Sequence, residues 1–240
     1  MQATVAWGIT GAGALLDESI EAVESLVARG VKVTAFVSRA GETVLEMYGL
    51  KDRLEKALVG DYPVGVVYES RELPGYPTTG RLYLGVYTHV VVSPATMNTV
   101  SKIVHGIADS LVSALAMHAL KTRTPLYVLP VDAFPTKSKV PITVDREKCS
   151  TCTSCKAALV CPTGALREHG YFKVAVNSAK CTRCYLCLSA CPQGAVVFDK
   201  EIVVQPHPHY LEIVERLRRV VGIHVIHSPL EVVRELGGEA

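Results

Sequence analysis

The chain has 240 residues, enough for one or two domains with a buried core. Hydrophobic residues make up 49% and charged residues 20%, and a formal net charge of +2 gives no pull toward nucleic acid or an anionic membrane. No apolar run approaches the roughly 20 residues that span a bilayer, and the N-terminal MQATVAWGITGAG lacks the basic and apolar regions of a signal peptide, so a cytoplasmic protein without nucleic-acid or membrane partners is expected.

Residues 3–7 read as a short apolar strand that runs into a glycine turn, Gly8-Ile9-Thr10-Gly11-Ala12-Gly13. Residues 15–28 then place Leu15, Leu16, Ile20, Val23, Leu26 and Val27 at helical spacing, and Gly30 supplies a C-cap. A second strand over 31–37 ends in Ser38. Helical pattern returns near 42–58, strands follow near 64–68 and 89–93, and one long helix is expected over about 97–120. Residues 126–129 form a further strand stopped by Pro130. This alternation predicts an α/β fold, a flavodoxin-like or Rossmann-like three-layer αβα arrangement around a parallel sheet. Ligands of such sheets sit at the carboxyl ends of the strands, so the loops at 8–13, 38–41, 93–99 and 130–135 should converge.

All eight cysteines lie between Cys149 and Cys191. The first four are Cys149, Cys152, Cys155 and Cys161, and the second four are Cys181, Cys184, Cys187 and Cys191. The second set matches C-x2-C-x2-C-x3-C-P; the first has five residues before its last cysteine. The flanks repeat as well: Val144-Asp145-Arg146-Glu147-Lys148-Cys149 aligns with Val176-Asn177-Ser178-Ala179-Lys180-Cys181, and Cys161-Pro162-Thr163-Gly164-Ala165 aligns with Cys191-Pro192-Gln193-Gly194-Ala195. A disulfide knot does not suit a reducing compartment, and zinc sites pair C-x2-C units without a third closely spaced cysteine. The pattern instead predicts two [4Fe–4S] clusters. Three thiolates on one turning segment cap three irons of a cubane, and the fourth iron is reached by the last cysteine of the other repeat. One cluster is therefore assigned to Cys149, Cys152, Cys155 and Cys191, the other to Cys181, Cys184, Cys187 and Cys161. Residues 141–204 resemble the bacterial two-cluster ferredoxins, which implies a small α+β unit.

The helix and strand pattern resumes after this unit, with a helix over 210–221, a strand over 223–226 and a final helix over Pro229–Leu236 with Ser228 as N-cap. The expected organisation is residues 1–140 as the first part of the α/β domain, 141–204 as an inserted ferredoxin-like domain, and 205–240 as the return of the α/β domain. The run Gln205-Pro206-His207-Pro208-His209 reads as a stiff linker.

The first turn contains G-x-G, but Leu16 stands where a dinucleotide fingerprint has its third glycine, and Ser38-Arg39 replaces the acidic residue expected to meet an NAD ribose. A stronger signal is Ser93-Pro94-Ala95-Thr96-Met97-Asn98-Thr99, where a strand closes and a helix opens with hydroxyls, an amide and N-terminal N–H groups together, a setting that suits a phosphate. The two turns, with Lys102-Ile103 and Gly106-Ile107-Ala108-Asp109 downstream, resemble the FMN-binding flavoprotein superfamily that includes phosphopantothenoylcysteine decarboxylase and flavin prenyltransferase. The likeness is greatest to the archaeoflavoproteins and acceptor-dependent dihydromethanopterin reductases, over residues 1–135 and, more loosely, 208–240. It implies FMN contacts from Thr10, Gly11, Ala12, Gly13, Ser38, Pro94, Ala95, Thr96, Met97, Asn98 and Thr99, and a homo-oligomer, a trimer or a multiple of it. The stretch Thr79-Gly80-Arg81-Leu82-Tyr83-Leu84 lacks the decarboxylase histidine, and Pro130-Val131-Asp132-Ala133 lacks the prenyltransferase arginine. The function implied is an iron–sulfur flavoprotein oxidoreductase. It would pass electrons from a low-potential donor such as ferredoxin through two clusters to FMN, and on to an organic acceptor, a pterin first among them. The alternative is an electron carrier of the same cofactor content without a substrate of its own.

Overall fold

The computed structural model describes residues 3–237. Its centre is a sheet of six parallel strands: β1 (Thr4–Ile9), β2 (Lys32–Val37), β3 (Gly65–Tyr68), β4 (His89–Ala95), β5 (Leu126–Pro130) and β10 (Ile223–Val225). The spatial order is β10-β5-β4-β1-β2-β3. Counting sheet strands alone, this is the doubly wound order 3-2-1-4-5-6, which reverses direction between β1 and β4.

Side-chain alternation builds the three layers. Val5, Trp7 and Ile9 of β1 face one side, with α1 (Leu16–Ala28), α2 (Arg39–Tyr48), α3 (Lys51–Ala57) and α9 (Pro229–Leu236). Ala6 faces the other, with α4 (Met97–Val104), α5 (Leu111–Thr122) and α8 (Pro208–Arg218). β4 divides in the same way, Val91 joining the first core and Val90 and Val92 the second. Trp7 is fully buried and donates from Nε1 to the Ser93 carbonyl at 2.8 Å, so it ties β1 to β4 within the core.

Two expected helices are each broken. The helix read over 42–58 stops at Tyr48, where Gly49 takes a left-handed φ of 69°, and restarts as α3. The long helix read over 97–120 stops at Val104. Gly106, at φ 70°, turns the chain, and Ser110 opens α5 with a capping box shared with Ser113. Periodicity of apolar residues runs on through such turns, which is why both pairs read as single helices. The Ser228 cap on α9 is present, with Glu231 completing its capping box.

The chain leaves the sheet after β5 and re-enters it at β10. Between them, β6 (Thr136–Val144) pairs antiparallel with β9 (Val196–Val204), and β7 (Leu166–His169) with β8 (Lys173–Val176). Two short helices, α6 (Lys156–Leu159) and α7 (Leu186–Ala190), pack on each other beside them. The sequence repeat is visible as crossed bonds. Asp145 N–H donates to the Ala195 carbonyl at 2.8 Å, and its repeat equivalent, Asn177 N–H, donates to the Ala165 carbonyl at 2.7 Å. Among the described residues no helix is long and apolar enough to cross a membrane.

Candidate functional site

Because β1 lies between β2 and β4, its loop meets the loops of both neighbours. Thr10 is the pivot. Its Oγ1 donates to the Pro94 carbonyl at 2.7 Å and accepts from Thr96 N–H at 2.9 Å, with its own N–H 3.3 Å from the same carbonyl. Ser38 N–H donates to the Ile9 carbonyl at 3.0 Å, and Ser38 Oγ caps α2 by accepting from Gly41 N–H at 3.0 Å. Thr96 Oγ1 caps α4 by accepting from Thr99 N–H at 3.4 Å. The fourth loop joins through Val131 N–H, which donates to the Ala95 carbonyl at 3.1 Å.

The glycines of the first loop are there for space. A Cβ on Gly11 would come 2.6 Å from Ala40 Cβ, and one on Gly13 would strike the Tyr48 hydroxyl. The loop therefore lies flat against the start and the end of α2. Of the expected cofactor contacts, Thr10, Ala12, Ser38, Pro94, Ala95, Met97 and Thr99 are buried, Gly11, Gly13 and Thr96 half-buried, and Asn98 exposed. Pro94 and Ala95 belong to β4 itself. The loops after β1, β2 and β4 that carry this set meet beside the β1/β4 switch point. Hydroxyls and the starts of two helices gather there, a setting whose polarity fits a phosphorylated flavin, although the Arg39, Gly41, Met97 and Thr99 amides are bonded to side chains.

Two carboxylates at this site were not singled out by sequence reasoning. Asp132 Oδ2 accepts from Met97 N–H at 3.0 Å, and Glu69 Oε2 accepts from Arg39 N–H at 3.2 Å. Each satisfies an orphan amide at a helix start. No local motif marks them, because they lie 35 and 30 residues along the chain from the amides they serve. Lys102 is paired with Asp109 at 2.8 Å. Thr79, in the stretch that lacks the decarboxylase histidine, is buried, its Oγ1 2.9 Å from His118 Nδ1. Tyr83 is exposed and packs edge-on to His118. His207 caps α8 through Nδ1, which accepts from His209 N–H at 3.2 Å, so the linker histidines serve the helix start.

The eight cysteines fall into two groups of four. Cys149, Cys152, Cys155 and Cys191 line one cavity of about 380 Å³. Cys161, Cys181, Cys184 and Cys187 line a second, much tighter one. Each group joins three cysteines of one repeat to the last cysteine of the other. Burial first, and then the neighbouring Cys155, Cys152 and Cys191 sulfurs, push the Cys149 thiol above its ordinary range; burial and the Cys181, Cys184 and Cys161 sulfurs do the same to Cys187. Four crowded thiolates need a cationic centre to neutralise them, which is the chemistry of an iron–sulfur cluster. Burial also opposes ionisation of Cys161. There the Leu166 N–H, the Thr163 hydroxyl and the Thr163 and Ala165 N–H groups outweigh it and hold the thiol low. Ala195 N–H donates to Cys191 Sγ at 3.3 Å, the repeat's equivalent contact. The two extra residues of the first repeat change where its helix lies: Cys155 precedes α6, whereas Cys187 lies inside α7.

Two family models match the chain, overlapping over residues 141–162. The Flavoprotein family model matches residues 1–162, and the 4Fe-4S dicluster domain model matches residues 141–192. The dihydromethanopterin reductase (acceptor) of Methanosarcina mazei is 39% identical over 236 residues, covering 97% of this chain and 98% of that protein. That of Methanocaldococcus jannaschii is 42% identical over 172 residues, covering 70% of this chain and 69% of that protein. The structure of Burkholderia xenovorans DmrB in complex with FMN, described as a cubic protein cage for redox transfer, covers 98% of this chain and 94% of its own. Its TM-score is 0.61 at 26% identity.

Proposed function

Because this chain belongs to the flavoprotein family, in the group of the acceptor-dependent dihydromethanopterin reductases, and carries a 4Fe-4S dicluster domain, we propose that it reduces a dihydropterin with electrons drawn from a low-potential donor such as ferredoxin. The observation that carries this reading is the presence, in one chain, of two four-cysteine cavities and a phosphate-suited switch-point site. When bound, the clusters supply electrons singly and FMN delivers them in pairs to an organic acceptor.

The residues divide the work. Cys149, Cys152, Cys155 and Cys191 would hold one cluster, and Cys161, Cys181, Cys184 and Cys187 the other. Thr10, Ser38, Thr96 and Thr99 would orient the flavin phosphate and its ribityl chain, with Gly11 and Gly13 keeping the loop close to α2. Pro94, Ala95 and Met97 would give the ring an apolar floor, and Asn98, the exposed member, a polar edge. The ferredoxin-like unit is read as an insertion between β5 and β10, supported by the pairing of those two strands. The DmrB cage supports a homo-oligomeric assembly.

The test is anaerobic turnover of the loaded chain with reduced ferredoxin and dihydromethanopterin. Stoichiometric pterin consumption is the expected result. Flavin reduction without consumption of any dihydropterin would leave an electron carrier instead.

A further inference from the structure

The two cysteine cavities are not equivalent in their surroundings. Both are lined by residues of the ferredoxin-like unit alone, so the difference lies in what their cysteine loops touch outside it. The loop that carries Cys181, Cys184 and Cys187 reaches the flavin domain. Arg183, between Cys181 and Cys184, makes a two-pronged ion pair with Asp199 of β9, with Nη1 to Oδ1 at 3.1 Å and Nη2 to Oδ2 at 2.5 Å. Its guanidinium lies over the rings of Phe198 at 5.6 Å and Tyr185 at 5.7 Å, and its side chain is only 17% exposed. This held side chain abuts Gly49, the residue that ends α2: a Cβ there would lie 3.3 Å from Arg183 Cδ.

The preceding residue completes the seam. Tyr48 donates its hydroxyl to the Lys139 carbonyl of β6 and presses against Gly13 of the first flavin loop. A cavity of about 410 Å³ opens along the same seam, with Gly13 and Tyr48 among its lining on one side and Arg183 and Asp199 on the other. From cysteine loop to flavin loop the chain of touching groups is short: Arg183, Gly49, Tyr48, Gly13.

Resting on the electron route proposed above, we infer that Arg183 and Tyr48 are positioning residues that make the Cys161/Cys181/Cys184/Cys187 site the one facing the flavin, so that the Cys149/Cys152/Cys155/Cys191 site receives electrons from the donor. Each passage moves one electron. Cys149, Cys152, Cys155 and Cys191 would hold the group that takes one electron from the donor, and Cys161, Cys181, Cys184 and Cys187 the group that hands it on, so the donor would be oxidised by one electron as the flavin gains one. Two passages, with two protons from water, reduce the flavin once. A bidentate, ring-stacked arginine suits this task because its fork is rigid where a lysine would swing.

The test is anaerobic stopped-flow reduction of the loaded chain by dithionite, following cluster bleaching and then flavin bleaching as separate absorbance phases. Arg183→Ala should leave the cluster phase, iron content and flavin content unchanged and slow the flavin phase by roughly tenfold to a hundredfold, the scale on which loosened geometry costs rate. Arg183→Lys should recover part of the loss, and Lys121→Ala, an exposed cation in the last turn of α5, should change the flavin phase little. Arg183→Ala should also lower the reduction potential of one EPR cluster signal, the one that Cys184→Ser alters. Should Arg183→Ala lose iron, Tyr48→Phe, which removes only the hydroxyl, carries the kinetic comparison. An unchanged flavin phase in Arg183→Ala and Tyr48→Phe, or equal slowing by Lys121→Ala, overturns the inference. A wild-type chain whose clusters bleach while its flavin never does overturns the electron route itself.

Discussion

Single residues here do more than their type suggests. Thr10 is buried and both donates and accepts at the junction of two loops. Thr10→Val keeps the shape but leaves the Pro94 carbonyl and Thr96 N–H without that partner, which costs about 1–3 kcal/mol; a lower melting temperature and weaker flavin retention are expected together. His89, at the opposite end of β4, is a different case. Burial first, and the nearby His224, hold its pKa below the ordinary 6.5, against the pull of Glu235. The unfolded chain takes up that proton near 6.5 while the folded one resists it, so this contribution to stability is complete above 6.5 and is lost as pH falls. His89→Gln should therefore show a shallower fall of melting temperature on acidification than the wild type. Legibility at this scale was uneven. The cysteines announce themselves by spacing, and Thr10 by its place in a glycine turn. Asp132 and Glu69 could not be found, since a carboxylate that caps a helix from another loop leaves no local pattern.

At the scale of elements, the sheet was read well because parallel strands buried on both faces are short apolar runs, as in Val90-Val91-Val92. The helices were overextended. Both breaks depend on a left-handed glycine, Gly49 and Gly106, and such a residue is as compatible with a solvent-facing helix position as with a turn until the cap beyond it is recognised. Ser110 is that cap for α5, reciprocated by Ser113. Ser110→Ala should destabilise the fold by about 1 kcal/mol, measured by denaturant midpoint with an unchanged slope. The αL turn at Gly49 also frees the end of α2 to meet Arg183, so a feature missed as a helix break is also where the two halves of the chain touch.

The whole molecule is a doubly wound sheet whose fifth and sixth strands are joined through a duplicated cysteine unit. The duplication is what makes the cysteine groups crossed: the Asp145–Ala195 and Asn177–Ala165 bonds lace each repeat into the other and bring Cys191 and Cys161 across. Crossing has a direct consequence. Cys161→Ala, a change in the first repeat, should perturb the cluster of the second repeat's Cys181, Cys184 and Cys187 and leave the other EPR signal intact. Loss of the Cys149, Cys152 and Cys155 cluster instead would mean uncrossed ligation.

The central claim is that clusters and flavin form one circuit ending on a pterin. Its most direct measurement is an anaerobic spectroscopic titration of the purified chain, loaded with roughly eight iron and one FMN, using reduced ferredoxin and then dihydromethanopterin. The account predicts that cluster and flavin absorbance bleach together and that both return when the pterin is added. Clusters that bleach while the flavin stays oxidised, or a reduced flavin that no dihydropterin reoxidises, would contradict it.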